Sequence, residues 1–189
     1  MGSEGSGGIV ASFEIRLANA SDIPRLVSLD HSSMSDYVWQ LELRQEPGQT
    51  TASFREVRLP RSIEVKYPRD PSSLADEWKQ RDVALVAVHQ GTPIGYLCGL
   101  TEPASAAAWV KDLVVAPEQR RKGAASALLT ATQDWALKRG VRRLILEMQS
   151  KNQAYIRLAQ KFGYEFCGYN DQYYLTQDVA LFFGRVIKL

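Results

Sequence analysis

Cysteine, histidine and long apolar runs are all scarce in this chain of 189 residues. Its two cysteines, Cys98 and Cys167, are too few for a disulfide-rich scaffold, and their separation matches neither a zinc-ligand pattern nor a redox pair. We therefore expect a reduced, cytoplasmic protein without a bound metal. No apolar run approaches the roughly 20 residues that a membrane-spanning helix needs, so we expect no membrane partner.

A large excess of one charge is missing as well. The chain has 23 Lys and Arg against 21 Asp and Glu, a formal net charge of +2. Because the two signs are interspersed, the composition does not require a polyanionic partner such as nucleic acid. The length and the 45% hydrophobic content favour one domain with a sizeable core. We predict this domain over residues 13–189, after a flexible Gly/Ser-rich leader at 1–12.

The spacing of apolar residues predicts an alternation of strands and helices. Residues 31–80 are interrupted by four prolines and are predicted to be irregular, with one strand within 54–67. The other predicted elements are a strand at 13–18, a helix at 19–30, two strands within 83–100 around a turn at Gln90-Gly91, a strand ending at Pro117, a helix ending at Gly140, a strand at 142–149, a helix ending at Gly163, and strands within 165–175 and 178–187. This order predicts a single mixed α/β (α+β) domain.

The segment EQRRKGAASALL, residues 118–129, joins a predicted strand to a predicted helix. The N-terminus of a helix presents unpaired N–H groups and partial positive charge, and Gly123 lets an anion approach the backbone there. Arg120, Arg121 and Lys122 add positive charge at the same end. The pattern alone fits a phosphate-binding loop and a solvated basic turn equally well.

Two motifs around this segment resemble those of the GNAT superfamily of acyl-CoA-dependent N-acetyltransferases. The pyrophosphate loop of the family, R/Q-x-x-G-x-G/A, is matched by residues 120–125, and its motif N-x-x-A-I-x-L-Y-x-K-x-G-F/Y is matched by residues 152–164. LILEMQSKN and DVALFF are weakly similar to streptothricin acetyltransferases. The resemblance implies a mostly antiparallel mixed sheet, flanked by helices, in which two central strands splay apart.

The resemblance also implies acetyl-CoA as the acyl donor. Its pantetheine arm would pair with the strand before Pro117, and its pyrophosphate would lie on the basic loop. Asn152 fits a helix cap, and the family uses the same position for CoA. The implied cofactor contacts are Leu113, Val114, Val115, Arg120, Arg121, Lys122, Gly123, Ala124, Ala125, Ser126, Asn152 and Tyr155.

The implied reaction is direct attack of a primary amine on acetyl-CoA within a ternary complex, without a covalent enzyme intermediate. An amine with a pKa of about 10.4 must first lose a proton. Glu147 is the favoured candidate for the base, because ribosomal-protein alanine acetyltransferases place one in a similar L-x-L-E pattern, and Asp112 is the second candidate. The tyrosine that commonly protonates the leaving thiolate is replaced by Ala159. Tyr155, on the same helical face, is either its substitute or a core residue.

The sequence does not identify the amine acceptor. Residues 31–80 are expected to form a variable wall on the acceptor side, against a streptothricin-like small-molecule amine, a protein N-terminus or a lysine. The change at Ala159 also leaves open a non-catalytic domain that senses acyl-CoA. A nucleic-acid-binding module built on RRK and KRGVRR is disfavoured, because aromatic residues do not alternate with these basic residues. The expected partners are acetyl-CoA and the amine, and a homodimer is left open.

Overall fold

A computed structural model describes residues 13–188, so the predicted leader at 1–12 and residue 189 lie outside the described residues. The strands are β1 Glu14–Leu17, β2 Ser33–Glu46, β3 Gln49–Val65, β4 Val83–His89, β5 Thr92–Glu102, β6 Ala107–Val115, β7 Arg143–Gln149, β8 Glu165–Asn170 and β9 Ala180–Val186. The α-helices are α1 Ile23–Val27, α2 Leu74–Glu77, α3 Ala124–Lys138 and α4 Gln153–Lys161. None of the helices between residues 13 and 188 combines the length and the apolar character needed to cross a membrane.

Seven strands of the described chain form one sheet in the order β1-β4-β5-β6-β7-β9-β8. The pair β6–β7 is parallel and is connected through α3, whereas the other neighbouring pairs are antiparallel. Side chains of α3 and α4 pack with one part of the core, and those of α1 and α2 pack with another. The predicted mixed fold, with a mostly antiparallel sheet flanked by helices, is therefore confirmed.

The parallel strands β6 and β7 separate halfway along their length. Their pairing ends at Val110 opposite Leu146, and residues 112–115 pair only with β5. Lys111 is the extra residue of a bulge, since Asp112 lies opposite Cys98 while Val110 lies opposite the next residue of β5. The splay implied by the family resemblance is present, and it opens a gap in the sheet.

The strand predicted within 54–67 is present as the larger part of β3, but the prediction that the rest of 31–80 is irregular was wrong for β2 and the start of β3. These strands form a long antiparallel hairpin, paired from Ser33 opposite Val65 to its turn at residues 47 and 48. Prolines do not interrupt it, because Pro47 lies in the turn and Pro60 lies in a bulge where four residues of β3 oppose Asp36. At a bulge the missing N–H of proline costs no ladder hydrogen bond.

The middle of the hairpin is attached to the main sheet by aromatic packing. Trp39 packs 5.7 Å from Phe183 between ring centroids, and Phe54 packs 5.1 Å from Phe166. The backbone N–H of Trp39 donates to the carbonyl of Ser150 at 2.9 Å. These contacts attach the hairpin to β8 and β9 of the main sheet.

Two predicted elements are shorter than expected. Helix α1 covers only Ile23–Val27 of the predicted 19–30, with Pro24 in its first turn, and β8 ends at Asn170. Residues 171–179 instead form a loop that carries two tyrosines back towards the gap. This loop contributes to the site described next.

Candidate active site

A cleft of about 980 Å³ opens where β6 and β7 separate. Its walls come from the second half of β6, the loop before α3, the first turns of α3 and α4, the base of the hairpin, and the segment after β3. The predicted cofactor residues that line it are Leu113, Val114, Val115, Arg120, Arg121, Gly123, Ala124, Ala125, Ser126, Asn152 and Tyr155. Lys122 does not line the cleft, and its Nζ lies 3.4 Å from the side-chain oxygen of Gln119.

The loop before α3 turns its backbone towards the cleft. Gly123 is the N-cap residue with φ 100°, and Arg121 also has a positive φ of 64°. A Cβ at Gly123 would meet only ordinary contact with Phe13 at 3.8 Å, so the backbone angle and not lack of space requires glycine here. No side chain between residues 13 and 188 caps α3. The first N–H groups of this helix therefore remain available for an anion.

Arg120 is engaged by the backbone. Its Nε donates to the carbonyl of Val115 at 2.8 Å, and its Nη2 donates to the carbonyl of Asp30 at 3.1 Å. Burial lowers the pKa of Arg120. The side chain joins the end of β6 to the segment before β2, and a contact with phosphate stays a prediction.

The β7-facing edge of β6 is open beyond Val110. Leu113, Val114 and Val115 pair with β5 on their other side, and none of them pairs with β7, whose ladder with β6 ends at Val110. Peptide groups on an unpaired strand edge can bind an extended ligand that carries amides. This geometry fits the pantetheine arm of CoA.

Helix α4 brings Asn152 and Tyr155 to the cleft. The side chain of Asn152 caps the helix by accepting from the N–H of Tyr155 at 3.2 Å, so the cap is confirmed while a contact with CoA stays a prediction. The hydroxyl of Tyr155 is buried and has no hydrogen-bond partner among residues 13–188. Burial raises the pKa of Tyr155 well above its usual value. Tyr155 and Ala159 both belong to the packed core.

Glu147 is a buried carboxylate surrounded by cations and hydroxyls. Lys111 Nζ lies 2.6 Å from its Oε2, and the guanidinium of Arg69 pairs with its Oε1. The hydroxyls of Tyr173 and Tyr174 donate to it at 3.2 and 3.4 Å. Two cations and two hydroxyls therefore surround the Glu147 carboxylate at the point where the strands separate.

Asp112 is the second buried carboxylate. It accepts a hydrogen bond from the Tyr67 hydroxyl, and Arg69 Nη1 lies 3.2 Å from its Oδ1. Arg69 thus links Asp112 to Glu147. Burial opposes the charge of Arg69, but the two carboxylates outweigh burial and raise its pKa. Burial and the Asp112 charge raise the pKa of Tyr67, so its hydroxyl stays protonated.

A half-buried histidine, His31, lines the cleft together with Tyr67 and Asp112. His31 Nδ1 lies 2.7 Å from the carbonyl of Leu29, and its Nε2 lies 3.2 Å from the Tyr96 hydroxyl. A carbonyl can only accept, so Nδ1 carries the proton and Nε2 accepts from Tyr96. Burial lowers the pKa of His31, which favours the neutral ring.

Sequence reasoning found both carboxylates but missed their partners. Tyr67 is the last residue of a predicted strand, Arg69 follows it in a segment without periodicity, and Tyr173 and Tyr174 were placed within a strand. One available signal was the Lys111-Asp112 pair inside the otherwise apolar strand AAAWVKDLVV. Charged residues next to each other in a buried strand indicate partners elsewhere in the fold.

Comparison with known proteins decides the family. Residues 50–164 match the family model described as acetyltransferase (GNAT) family. The chain belongs to the GNAT family. The predicted resemblance is therefore confirmed. Like the family, the chain is an acyl-CoA-dependent N-acetyltransferase that takes the acetyl group from acetyl-CoA and transfers it to an amine.

Individual relatives of this GNAT protein agree with that assignment. Streptothricin acetyltransferase from Streptomyces lavendulae is 27% identical over 173 residues, which cover 87% of each protein. The crystal structure of nourseothricin acetyltransferase has a TM-score of 0.77 at 23% identity and covers 93% of this chain and 99% of its own. A putative streptothricin acetyltransferase from Bacillus anthracis, solved with acetyl coenzyme A, has a TM-score of 0.74 at 20% identity, with coverage of 94% and 99%. The two structures share the fold.

Proposed function

We propose that this GNAT protein acetylates a primary amine on a small molecule, with Glu147 as the base and Tyr155 as the acid. The observation that carries the proposal is that both groups line one cleft, at the point where the central strands separate. The similarity to a streptothricin acetyltransferase over 87% of the chain favours a streptothricin-like amine. Cys98 and Cys167 are both free thiols, in keeping with a cytoplasmic location.

The cofactor side of the cleft fits acetyl-CoA, which supplies the thioester when bound. The N–H groups of Ala124, Ala125 and Ser126 would hold the pyrophosphate, because they begin α3 without a side-chain cap. Arg121 lines the cleft beside them. The open edge of residues 113–115 would hold the amides of pantetheine.

Glu147 would take the proton from the attacking amine. Its carboxylate already binds two cationic N–H donors, those of Arg69 and Lys111, so it can accept a further N–H from an amine that enters the cleft. Glu147 is preferred to Asp112 because it follows Leu146, the last residue of β7 that pairs with β6, and so lies where the two strands separate. Asp112 is turned towards Tyr67 and the core beneath α1 and α2.

Tyr155 would give a proton to the leaving thiolate. Its raised pKa keeps the hydroxyl protonated, and a buried hydroxyl without a partner is unfavourable by about 1–3 kcal/mol. A ligand atom that accepts its hydrogen bond would relieve this cost. The role that the family assigns to a tyrosine at position 159 would then be filled from one helical turn earlier.

The acceptor side is formed by Met34 and Asp36 of β2, Tyr67 after β3, and Tyr174 of the 171–179 loop. This supports the expectation that much of residues 31–80 forms the acceptor wall. Release of free CoA thiol, measured across amino-sugar antibiotics, polyamines, streptothricin-like amines and peptides, tests the proposal. We expect small-molecule amines to react faster than peptides. Binding of acetyl-CoA without thiol release from any amine would instead support the acyl-CoA-sensing alternative.

A further inference from the structure

One primary amine of the protein itself already lies beside the proposed base in the cleft. The Nζ of Lys111 is 2.6 Å from Oε2 of Glu147, the carboxylate proposed to deprotonate the acceptor. Lys111 lines the cleft and its side chain is 21% exposed, whereas the Glu147 side chain is fully buried. An external amine must reach the same carboxylate, so Lys111 occupies the position relative to the base that the proposed reaction requires of its substrate.

The bulge in β6 is what directs Lys111 there. Its neighbour Val110 is the last residue of β6 that pairs with β7, and Lys111 has no counterpart on β5. The side chain therefore reaches over the opening gap towards Glu147, with its ammonium 5.2 Å from the centre of the Trp109 ring. The next residues, 112–115, form the open edge that fits the donor. The lysine is thus placed between the donor edge and the base.

We propose that Lys111 is a self-acetylation site, used when acetyl-CoA is bound and no external amine fills the cleft. This inference rests on the proposed role of Glu147. The Lys111 ammonium passes one proton to Glu147, and its nitrogen lone pair forms a bond to the acetyl carbon while the C–S bond breaks. The electron pair of that bond leaves with sulfur. Tyr155 gives its proton to the thiolate, and the nitrogen loses a second proton, which restores the Tyr155 hydroxyl. Glu147 then releases its proton to solvent. The products are an amide on Lys111 and free CoA.

Acetylation would change the acceptor side in two ways. The amide is neutral, so Glu147 would keep Arg69 as its cationic partner among the described residues. The added acetyl group would also occupy space that an acceptor needs. A good acceptor competes for the same thioester, so it should protect Lys111 from modification, whereas its absence should lead to slow inactivation.

Two other lysines each meet only one of the two conditions for this reaction, a place in the cleft and a carboxylate partner. Lys151 pairs with Asp178 but does not line the cleft. Lys161 lines the cleft at the far end of α4, and none of the ion pairs found within residues 13–188 joins it to a carboxylate. A reaction that needs both the cleft and a carboxylate partner should select Lys111 over both, whereas random chemical acetylation should not.

The test is to incubate the purified full chain with acetyl-CoA alone and map acetyl groups by peptide mass spectrometry. We expect one acetyl group on Lys111, none at comparable yield on Lys151 or Lys161, and no selective labelling in heat-denatured protein. Lys111→Arg keeps the positive charge and should lose the added mass, while the matched variant Lys151→Arg should keep it. Glu147→Gln should slow the labelling about a hundredfold.

The outcomes separate this inference from the proposed function. An unmodified Lys111 in an enzyme whose turnover of external amines is sensitive to Glu147→Gln would overturn self-acetylation alone. Equal labelling of Lys111, Lys151 and Lys161 would also overturn it, because the selectivity would then be chemical. If Glu147→Gln leaves turnover unchanged, the base is wrongly assigned and the proposed function itself is contradicted.

Discussion

The two sides of the cleft are built in different ways. The proposed cofactor side is formed mainly by backbone groups of one continuous stretch, residues 112–126, at the open edge of β6 and the start of α3. The acceptor side consists of side chains from distant segments, in which Arg69 reaches Glu147 across 78 positions of sequence. The first depends on local conformation and the second on a network of charges. Substitutions on the acceptor side should therefore change stability and catalysis, whereas those on the cofactor side should change the affinity for acetyl-CoA.

The largest effect is expected from breaking the network at Arg69. Arg69→Met removes the cation shared by Asp112 and Glu147 and leaves two buried carboxylates near each other. We expect the free energy of unfolding to fall by about 3–5 kcal/mol, as for other buried ion pairs that lose one partner. Urea denaturation measures this change. The exposed pair of Arg44 with Glu42 provides the control, since Arg44→Met should cost less than about 1 kcal/mol. Similar losses in both variants would contradict a structural network.

Glu147→Gln should come next, with an effect on catalysis. The amide keeps the size of the side chain but cannot take the proton of the amine, so we expect kcat/KM to fall about a hundredfold. The Kd for acetyl-CoA should not change, because Glu147 belongs to the acceptor side. Asp112→Asn is the matched variant and should reduce kcat/KM less. The reverse order of the two variants would move the base to Asp112.

On the cofactor side, Gly123→Glu should weaken acetyl-CoA binding with the fold retained. The new carboxylate lies at the start of α3 and repels a pyrophosphate, which should raise the Kd about thirtyfold, equivalent to about 2 kcal/mol. Isothermal titration calorimetry measures it. Gly140→Glu is the control, because Gly140 also has a positive φ and open space around it but lies at the other end of the helix. Equal loss of affinity in both variants would show that backbone strain, and not the pyrophosphate, is responsible.

A smaller and opposite pair of changes is expected at Tyr155. Tyr155→Phe removes the buried hydroxyl that has no partner within residues 13–188, so the free energy of unfolding should rise by about 1 kcal/mol. At the same time kcat should fall about tenfold, because the leaving thiolate loses its acid. Thermal unfolding and steady-state kinetics measure the two. A gain in stability without loss of kcat would make Tyr155 a core residue only.

The smallest effect concerns pH and His31. Its pKa is lowered by burial, so at mildly acidic pH the unfolded chain binds a proton that the folded chain resists. Stability should therefore decline as the pH falls below the ordinary histidine value of about 6.5. His31→Gln should make this decline shallower. Melting temperatures of both proteins between pH 5 and pH 8, at roughly half-unit steps, measure it, and parallel curves would contradict the assignment.

The contrast between the two sides also explains what the sequence could predict. Gly123 and Asn152 act through helix ends, whose conformational rules are local, so the loop, the cap and the family could be identified from short motifs. The hairpin was missed because its first strand, β2, was not predicted: its last five residues are all exposed, so no buried face marks them as a strand. Arg69 was missed because no local pattern distinguishes a loop arginine that reaches a buried carboxylate from a solvated one.

Arg120 gives this enzyme a mechanical property that neither side has by itself. One guanidinium holds the carbonyl of Val115, where the donor edge ends, and that of Asp30, three residues before the acceptor hairpin begins. A single side chain thereby connects the two walls proposed to bind the substrates. Arg120→Met removes both hydrogen bonds and should alter the affinities for donor and acceptor together. Binding of one substrate should then depend on the position of the wall that binds the other.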